Sequence, residues 1–271
     1  MLGYLENVAT TAGINAIITI GLTVVVMSGQ LSVCNAALAG LAAYTAASLS
    51  IFLGLPFLLS VLLGAALAAA VGAALSLVCR NLQGFYLAFA TLAFGAILVT
   101  VFENLQVLGG AMGLARIPPR TSFFNVYAVL VVLLCLLWRF ERSRFGVALY
   151  ALADDPIAAS AMGIHVVALK VLAFALGAFI SGLGGGLYAH YATVVVPGDL
   201  SFHQEINLYL YAGVGGLTSY WGAVLGAFAL AALTELLRFS IYERYLLFGL
   251  LLALIMLLKP EGLVKRFPRR N

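Results

Sequence analysis

The sequence predicts an all-α fold, a polytopic transmembrane bundle with discontinuous helices, and three observations carry that prediction. Hydrophobic residues make up 64% of the chain and charged residues 9%, against roughly half and about a quarter in soluble domains. The mean hydropathy is +1.11. Apolar runs of roughly 20 residues, the length that crosses a bilayer, follow one another between short polar breaks. The 271 residues leave room for about eight to ten such spans and none for a sizeable soluble domain. Residues 1–271 therefore read as a single transmembrane domain.

Each run is justified by where it stops. The first, residues 11–27, has neither a basic stretch before it nor a small-residue cleavage site, and so reads as a retained span. It ends at Ser28-Gly29-Gln30, whose backbone polar groups cannot be left facing lipid and must meet protein or water. The second, residues 31–53, is rich in Ala, Gly and Ser at three-to-four-residue spacing, the pattern of a helix packed closely on other helices. Pro56 opens a third run to residue 78, closed by Arg80 and Asn81, and a fourth covers residues 84–102. Residues 104–123 hold too many glycines and prolines for a continuous helix and read as an ordered loop. The fifth run, residues 124–138, ends on Trp138, placed as an interfacial anchor. The sixth, residues 170–193, contains Gly184, Gly185 and Gly186 in succession. Each costs a helix roughly 1 kcal/mol relative to Ala, which points to close approach or bending.

Residues 194–205 carry acids and no Lys or Arg and read as external. Residues 206–217 are too short to cross about 30 Å as a simple helix and read as a discontinuous span. Two more runs, residues 222–237 and 245–258, lead into a basic tail, residues 259–271. Counting back from that tail gives about nine segments and an external N-terminus, or an internal one if residues 31–53 are re-entrant.

The formal charge of +4 would suggest nucleic acid in a soluble protein. Here the basic residues gather in the tail and in the central polar stretch, residues 139–170, which reads as positive-inside topology in a lipid bilayer, with no nucleic acid partner. Cys34, Cys79 and Cys135 show no metal or disulfide spacing and read as buried thiols.

The central stretch contains one short, doubly stopped helix. Asp155 suits an N-cap, Pro156 the first helical position and Gly163 the left-handed residue just past the end. Asp155, Ala158, Ala159 and Met162 fall on one small-residue face. With the acidic pair Asp154 and Asp155 at its entrance, this is either a knob for a soluble partner or a well-capped surface turn. Both halves of the chain also carry a glycine-containing break beside polar residues, the arrangement that transporters use for substrate paths. Gln30, Ser32, Asn35 and Tyr44 in the first half, and Thr218 and Ser219 in the second, are the candidate path residues, with core packing as the alternative for any one of them.

Taken together, GQLSVCNAALAGLAAYTAA (29–47), ERSRFGVALYALADDPIAASAMGI (141–164), GGGLYAHY, PGDLSFHQEI, GVGGLTSYWGAVLGA and LLKPEGL resemble the LivM-type permeases. These are membrane subunits of bacterial ABC importers for branched-chain amino acids, with urea-type relatives. The resemblance implies an ATPase-coupling motif at Asp154, Asp155, Ala158, Ala159, Met162 and Gly163. It also implies a second permease subunit, two ABC ATPase subunits that bind ATP and Mg, an extracytoplasmic solute-binding protein, and the bacterial inner membrane as location. This chain departs from the family at Cys34-Asn35, where Gly-His is usual, and at Pro156, where a polar residue is usual.

Other classes find less support. The sequence contains no GxxxxGK[ST] loop, so energy from ATP must come from another subunit and no cofactor is expected in this chain. An ion-coupled secondary transporter or channel requires intramembrane ionisable groups, yet Glu103, Glu205 and Glu235 sit near segment ends, Glu235 with Arg238 one turn away. A metal site or membrane enzyme requires clustered His and carboxylates; His165, His190 and His203 share no ligand spacing and read as surface or interface residues.

Overall fold

The computed structural model describes residues 2–236, together with residue 249. In chain order the helices are α1 (Leu2–Val26), α2 (Asn35–Phe52), α3 (Phe57–Val78), α4 (Gly84–Asn104), α5 (Phe123–Glu141), α6 (Arg144–Asp154), α7 (Pro156–Ala161), α8 (Val166–Ala192), α9 (Phe202–Gly215) and α10 (Tyr220–Leu236). α1 to α5 and α8 are each long and apolar enough to cross a membrane, while α9 and α10 meet that test only together, bent by 110°. Eight of the expected segments thus correspond to helices. Apart from residue 249, the run at residues 245–258 lies outside the described residues, as do the basic tail and Arg238, so the expected Glu235–Arg238 pairing falls outside them too.

α8 is the axis, packed against α1, α2 and α3. Paired contacts give the directions. Tyr191 Oη donates to the Asn7 carbonyl at 3.2 Å and Ser181 Oγ to that of Ile18 at 3.2 Å, so α1 runs antiparallel to α8. Gln30 Nε2 donates to the Lys170 carbonyl at 3.0 Å and Tyr44 Oη to that of Val195 at 3.1 Å, so α2 runs with α8. Phe57 meets His190 edge to face, with ring centroids 5.0 Å apart, and sets α3 antiparallel. α10 returns along α5, with Tyr220 near Glu141 at one end and Phe228 near Tyr127 at the other.

The small residues of α2, α3 and α8 are what allow this. A Cβ on Gly185 would strike the Ala39 carbonyl, and one on Gly182 would sit 2.9 Å from Ala65 Cα. The three glycines do not interrupt α8, which is continuous from Val166 to Ala192. Their function is close approach, since backbones can touch only where no side chain intervenes.

The structure differs from the sequence reading in several places. α1 starts at Leu2, ahead of the apolar run, because its first turns are helical but exposed. The central stretch holds two helices: α6 precedes the short one, with Leu149, Tyr150 and Leu152 turned inward. The residue 105–122 loop contains two 3-10 turns and pairs with the far end of α8 through a Leu114–Val195 bridge. Cys135 is exposed on α5, whose buried face is Val126, Leu130, Leu133 and Leu137. Trp138 is half exposed, with the Arg142 guanidinium 3.9 Å above its ring.

Candidate functional site

Two regions concentrate polar groups: a joint inside the bundle, and a hairpin at the end where α5 finishes and α8 begins.

The joint is the break between α1 and α2, residues 27–34. Ser28, Gln30, Ser32 and Asn35 are all buried. Their side chains bond within the chain: Ser28 Oγ to the Val25 carbonyl at 2.6 Å, Gln30 Nε2 to Ser28 Oγ at 2.8 Å, and Asn35 Nδ2 to Ser32 Oγ at 3.2 Å. The Val33 N–H donates to Thr91 Oγ1 of α4 at 2.9 Å. Cys34, at the N-cap of α2, makes no side-chain cap. The cap comes from α9: Glu205, 1% exposed, accepts the Ala36 N–H on Oε2 at 2.6 Å. One turn further along α9, Tyr209 Oη donates to the Ser32 carbonyl at 2.7 Å. A helix start buried in lipid must have its N–H groups satisfied by protein, and here a different helix satisfies them.

Gln30, Ser32, Asn35 and Tyr44 belong to the interior of the subunit, where they hydrogen-bond their own chain; Tyr44 also stacks on Phe102, with centroids 4.2 Å apart. Thr218 and Ser219 are not among them. Thr218 is exposed at the α9–α10 turn, and Ser219 Oγ accepts the Gly222 N–H at 3.3 Å as a cap for α10. Glu205, read as a segment-end acid, does lie in the first turn of α9, and it is buried there. The sequence signal was a lone acid at the head of an apolar run. His190 is likewise interior, 0% exposed, with Nδ1 3.0 Å from the Pro118 carbonyl. A cavity of about 80 Å³ lies beside the joint, lined by Asn15, Tyr188, Asp199 and Gln204 and floored by alanines and glycines of α2 and α8.

The hairpin is α6 and α7. Ser143 Oγ caps α6 from the Gly146 N–H at 3.3 Å. α7 is stopped as its residues dictate. Asp155 Oδ1 accepts the N–H groups of Ile157 at 2.8 Å and Ala158 at 3.1 Å, and Pro156 occupies the first turn. At the other end Gly163 has φ +82°. Its N–H donates to the Ser160 carbonyl at 3.0 Å and that of Ile164 to Ala159 at 3.2 Å, the paired bonds of a Schellman motif. Asp154, Asp155, Ala158, Met162 and Gly163 are exposed. Ala159 departs from the expected docking face, for it is 0% exposed and packed inside the chain. The large side chains exposed here are Ile157 on α7 and Met162 at its C-cap, 81% and 69% exposed. Ile157 was not singled out by small-residue spacing because it lies between the positions of that stripe.

The two regions are connected. The Glu141 carboxylate, at the end of α5, accepts the phenols of Tyr150 on α6 and of Tyr220, the first residue of α10, the latter at 3.1 Å. α10 then lies against α9 through glycines: a Cβ on Gly222 would sit 2.5 Å from the Gly215 carbonyl, and one on Gly226 would strike that of Tyr211. Among the described residues there is no group of three His, Cys, Asp or Glu placed to hold a metal ion.

Residues 4–259 match the family model described as branched-chain amino acid transport system / permease component. The high-affinity branched-chain amino acid transport system permease protein LivM of Salmonella typhimurium is 30% identical over 95% of this chain and 69% of its own length. The probable branched-chain amino acid transport permease protein LivH of Methanocaldococcus jannaschii is 27% identical over 58% of this chain and 49% of its own length. In fold, PsaBC from Streptococcus pneumoniae, solved in complex with Fab, matches with a TM-score of 0.51 at 17% identity, covering 95% of this chain and 92% of that one. With its lipid-spanning helices and the family model running across nearly all of its length, the chain belongs to the permease components of branched-chain amino acid transport systems.

Proposed function

We propose that this multi-pass membrane protein is one of two permease subunits of an ABC importer in the bacterial inner membrane, carrying branched-chain or other hydrophobic amino acids. An extracytoplasmic binding protein delivers the solute, and two ATPase subunits that bind ATP and Mg drive the cycle. The observation that carries the reading is α7, a short peg capped at both ends, with the apolar side chains of Ile157 and of the C-cap residue Met162 exposed on it. Large apolar side chains exposed on a rigid, capped element mark a protein contact.

In this reading the ATPase seats on α7. Movement of α6 and α7 reaches α10 through Glu141, because a carboxylate held by two phenols from different helices passes displacement between them. The end of the bundle bearing α6 and α7 is then cytoplasmic, which places Asn7 and the N-terminal end of α1 outside. The test is uptake of radiolabelled leucine, with ATP hydrolysis, by the assembled complex in proteoliposomes. Ile157→Asp with Met162→Asp is expected to abolish solute-stimulated hydrolysis and uptake while leaving the membrane domain folded. Wild-type rates in that variant would remove the ATPase from α7.

One observation favours a second reading, an ion-coupled carrier: Glu205 is a carboxyl buried among apolar helices, of the kind such proteins use. Its Oε2, however, is committed to the start of α2. Leucine uptake on a proton gradient by the permease without ATPase subunits would favour this second reading; uptake only with them and ATP favours the first.

A further inference from the structure

We propose that Glu205 and Tyr209 are positioning residues for transport, forming a clamp that makes the α1–α2 break and the α9–α10 hairpin move as one body. The two side chains stand four residues apart on α9 and so on one face. They present an acceptor to the first turn of α2 and a donor to the break just before it: Oε2 of Glu205 to the Ala36 N–H at 2.6 Å, and Oη of Tyr209 to the Ser32 carbonyl at 2.7 Å. Neither backbone group has an alternative in lipid, and burial excludes water from the Glu205 side. The carboxyl group also sits at the N-terminal end of α2, where the helix dipole favours an acceptor. Glu205 Oε1 and Asn35 Oδ1, both buried, accept no hydrogen bond among the described residues, so the clamp holds at Oε2.

Residues 32–36 thus depend on α9 for their closure. α9 in turn is pressed against α10 through Gly215, Gly222 and Gly226, and α10 begins at Tyr220, bonded to Glu141. The broken element of the first half of the chain is joined to that of the second, and both to the hairpin end. A shift of α10 is therefore delivered to the start of α2, beside the cavity lined by Asn15 and Gln204.

The inference rests on the transport reading above, and two measurements on the assembled complex keep the two apart. The first is leucine taken up per ATP hydrolysed in proteoliposomes. Glu205→Ala is expected to lower this ratio at least tenfold with ATP hydrolysis retained, and Glu205→Gln, whose amide oxygen still accepts the Ala36 N–H, to stay within about threefold of wild type. A merely structural role lowers assembly and both activities together and leaves the ratio unchanged. The second is hydrogen exchange in the peptide covering residues 34–40. It is expected to rise at least tenfold in Glu205→Ala, and by a smaller factor in Tyr209→Phe, with α3 unaffected. Should Glu205→Ala fail to assemble, Tyr209→Phe decides on both measurements. A wild-type ratio, or wild-type exchange at residues 34–40, in the assembled variant overturns the clamp. A wild-type complex that carries no leucine sinks the transport reading instead, and exchange alone then decides the clamp.

Discussion

Asp155→Ala tests the capped peg most directly. α7 runs only from Pro156 to Ala161, and a helix of that length has no stability of its own in water because its nucleation cost is never recovered. Its order depends on its ends and on the burial of Ala159. Asp155 Oδ1 accepts two N–H groups, at 2.8 and 3.1 Å. Replacing such a cap by Ala costs about 1 kcal/mol within a range of roughly 0.5–2, or about a fivefold loss in the ratio of ordered to frayed α7. Asp155→Asn keeps the accepting oxygen and forgoes only the charge at the helix N-terminus, about 0.3–1 kcal/mol. Gly163→Ala adds an independent cost at the other end. Nothing lies within 4 Å of an added Cβ there, so the penalty is purely the left-handed backbone at φ +82°, about 1–2 kcal/mol. The assay is hydrogen exchange of the assembled complex over residues 155–165, read beside solute-stimulated ATP hydrolysis. Protection is expected to fall about fivefold in Asp155→Ala, less in Asp155→Asn, and further in the double variant with Gly163→Ala, with stimulation falling in the same order. Unchanged exchange in Asp155→Ala would refute the capping argument. Lost protection with full stimulation would refute the claim that an ordered α7 is needed.

Three further outcomes are expected. Tyr220→Phe removes the hydroxyl that Glu141 accepts at 3.1 Å; ATP hydrolysis should persist while leucine uptake per ATP falls several-fold, and an unchanged ratio would take Glu141 out of the connection. Gly185→Leu forces a side chain into the Ala39 carbonyl and should destabilise the α2–α8 contact by about 1–3 kcal/mol or more, seen as a lower thermal midpoint in detergent, whereas Gly198→Leu, with nothing within 4 Å, should leave it in place. Gln30→Ala breaks the bonds to Ser28 and Lys170 and should lower the same midpoint without altering which amino acids are carried; a changed preference would place Gln30 on the substrate path.

The candidate site was legible where the signal is local. Asp155, Pro156 and Gly163 announce a capped helix because N-caps, fixed proline φ and left-handed glycine are properties of single residues and their immediate neighbours. Ser28-Gly29-Gln30 announces a break that must be buried for an equally local reason. What that break touches was not legible: Ala36 and Glu205 are separated by 169 positions, and no periodicity records such a pairing. Nor does helical spacing say which side of a short helix faces outward, which is why Ala159 was grouped with a docking face that the fold turns inward.

By itself, then, the sequence determined that the chain lives in lipid, roughly where its apolar spans lie, and that the α7 peg exists, because solvent preference and backbone preference act residue by residue. Only the tertiary structure decided that Gln30, Ser32, Asn35 and Tyr44 are buried and hydrogen-bonded to their own chain, and that Glu205 caps a helix to which it is not attached. Burial and hydrogen-bond satisfaction belong to pairs of groups, and such pairs exist only once the bundle has brought distant segments together.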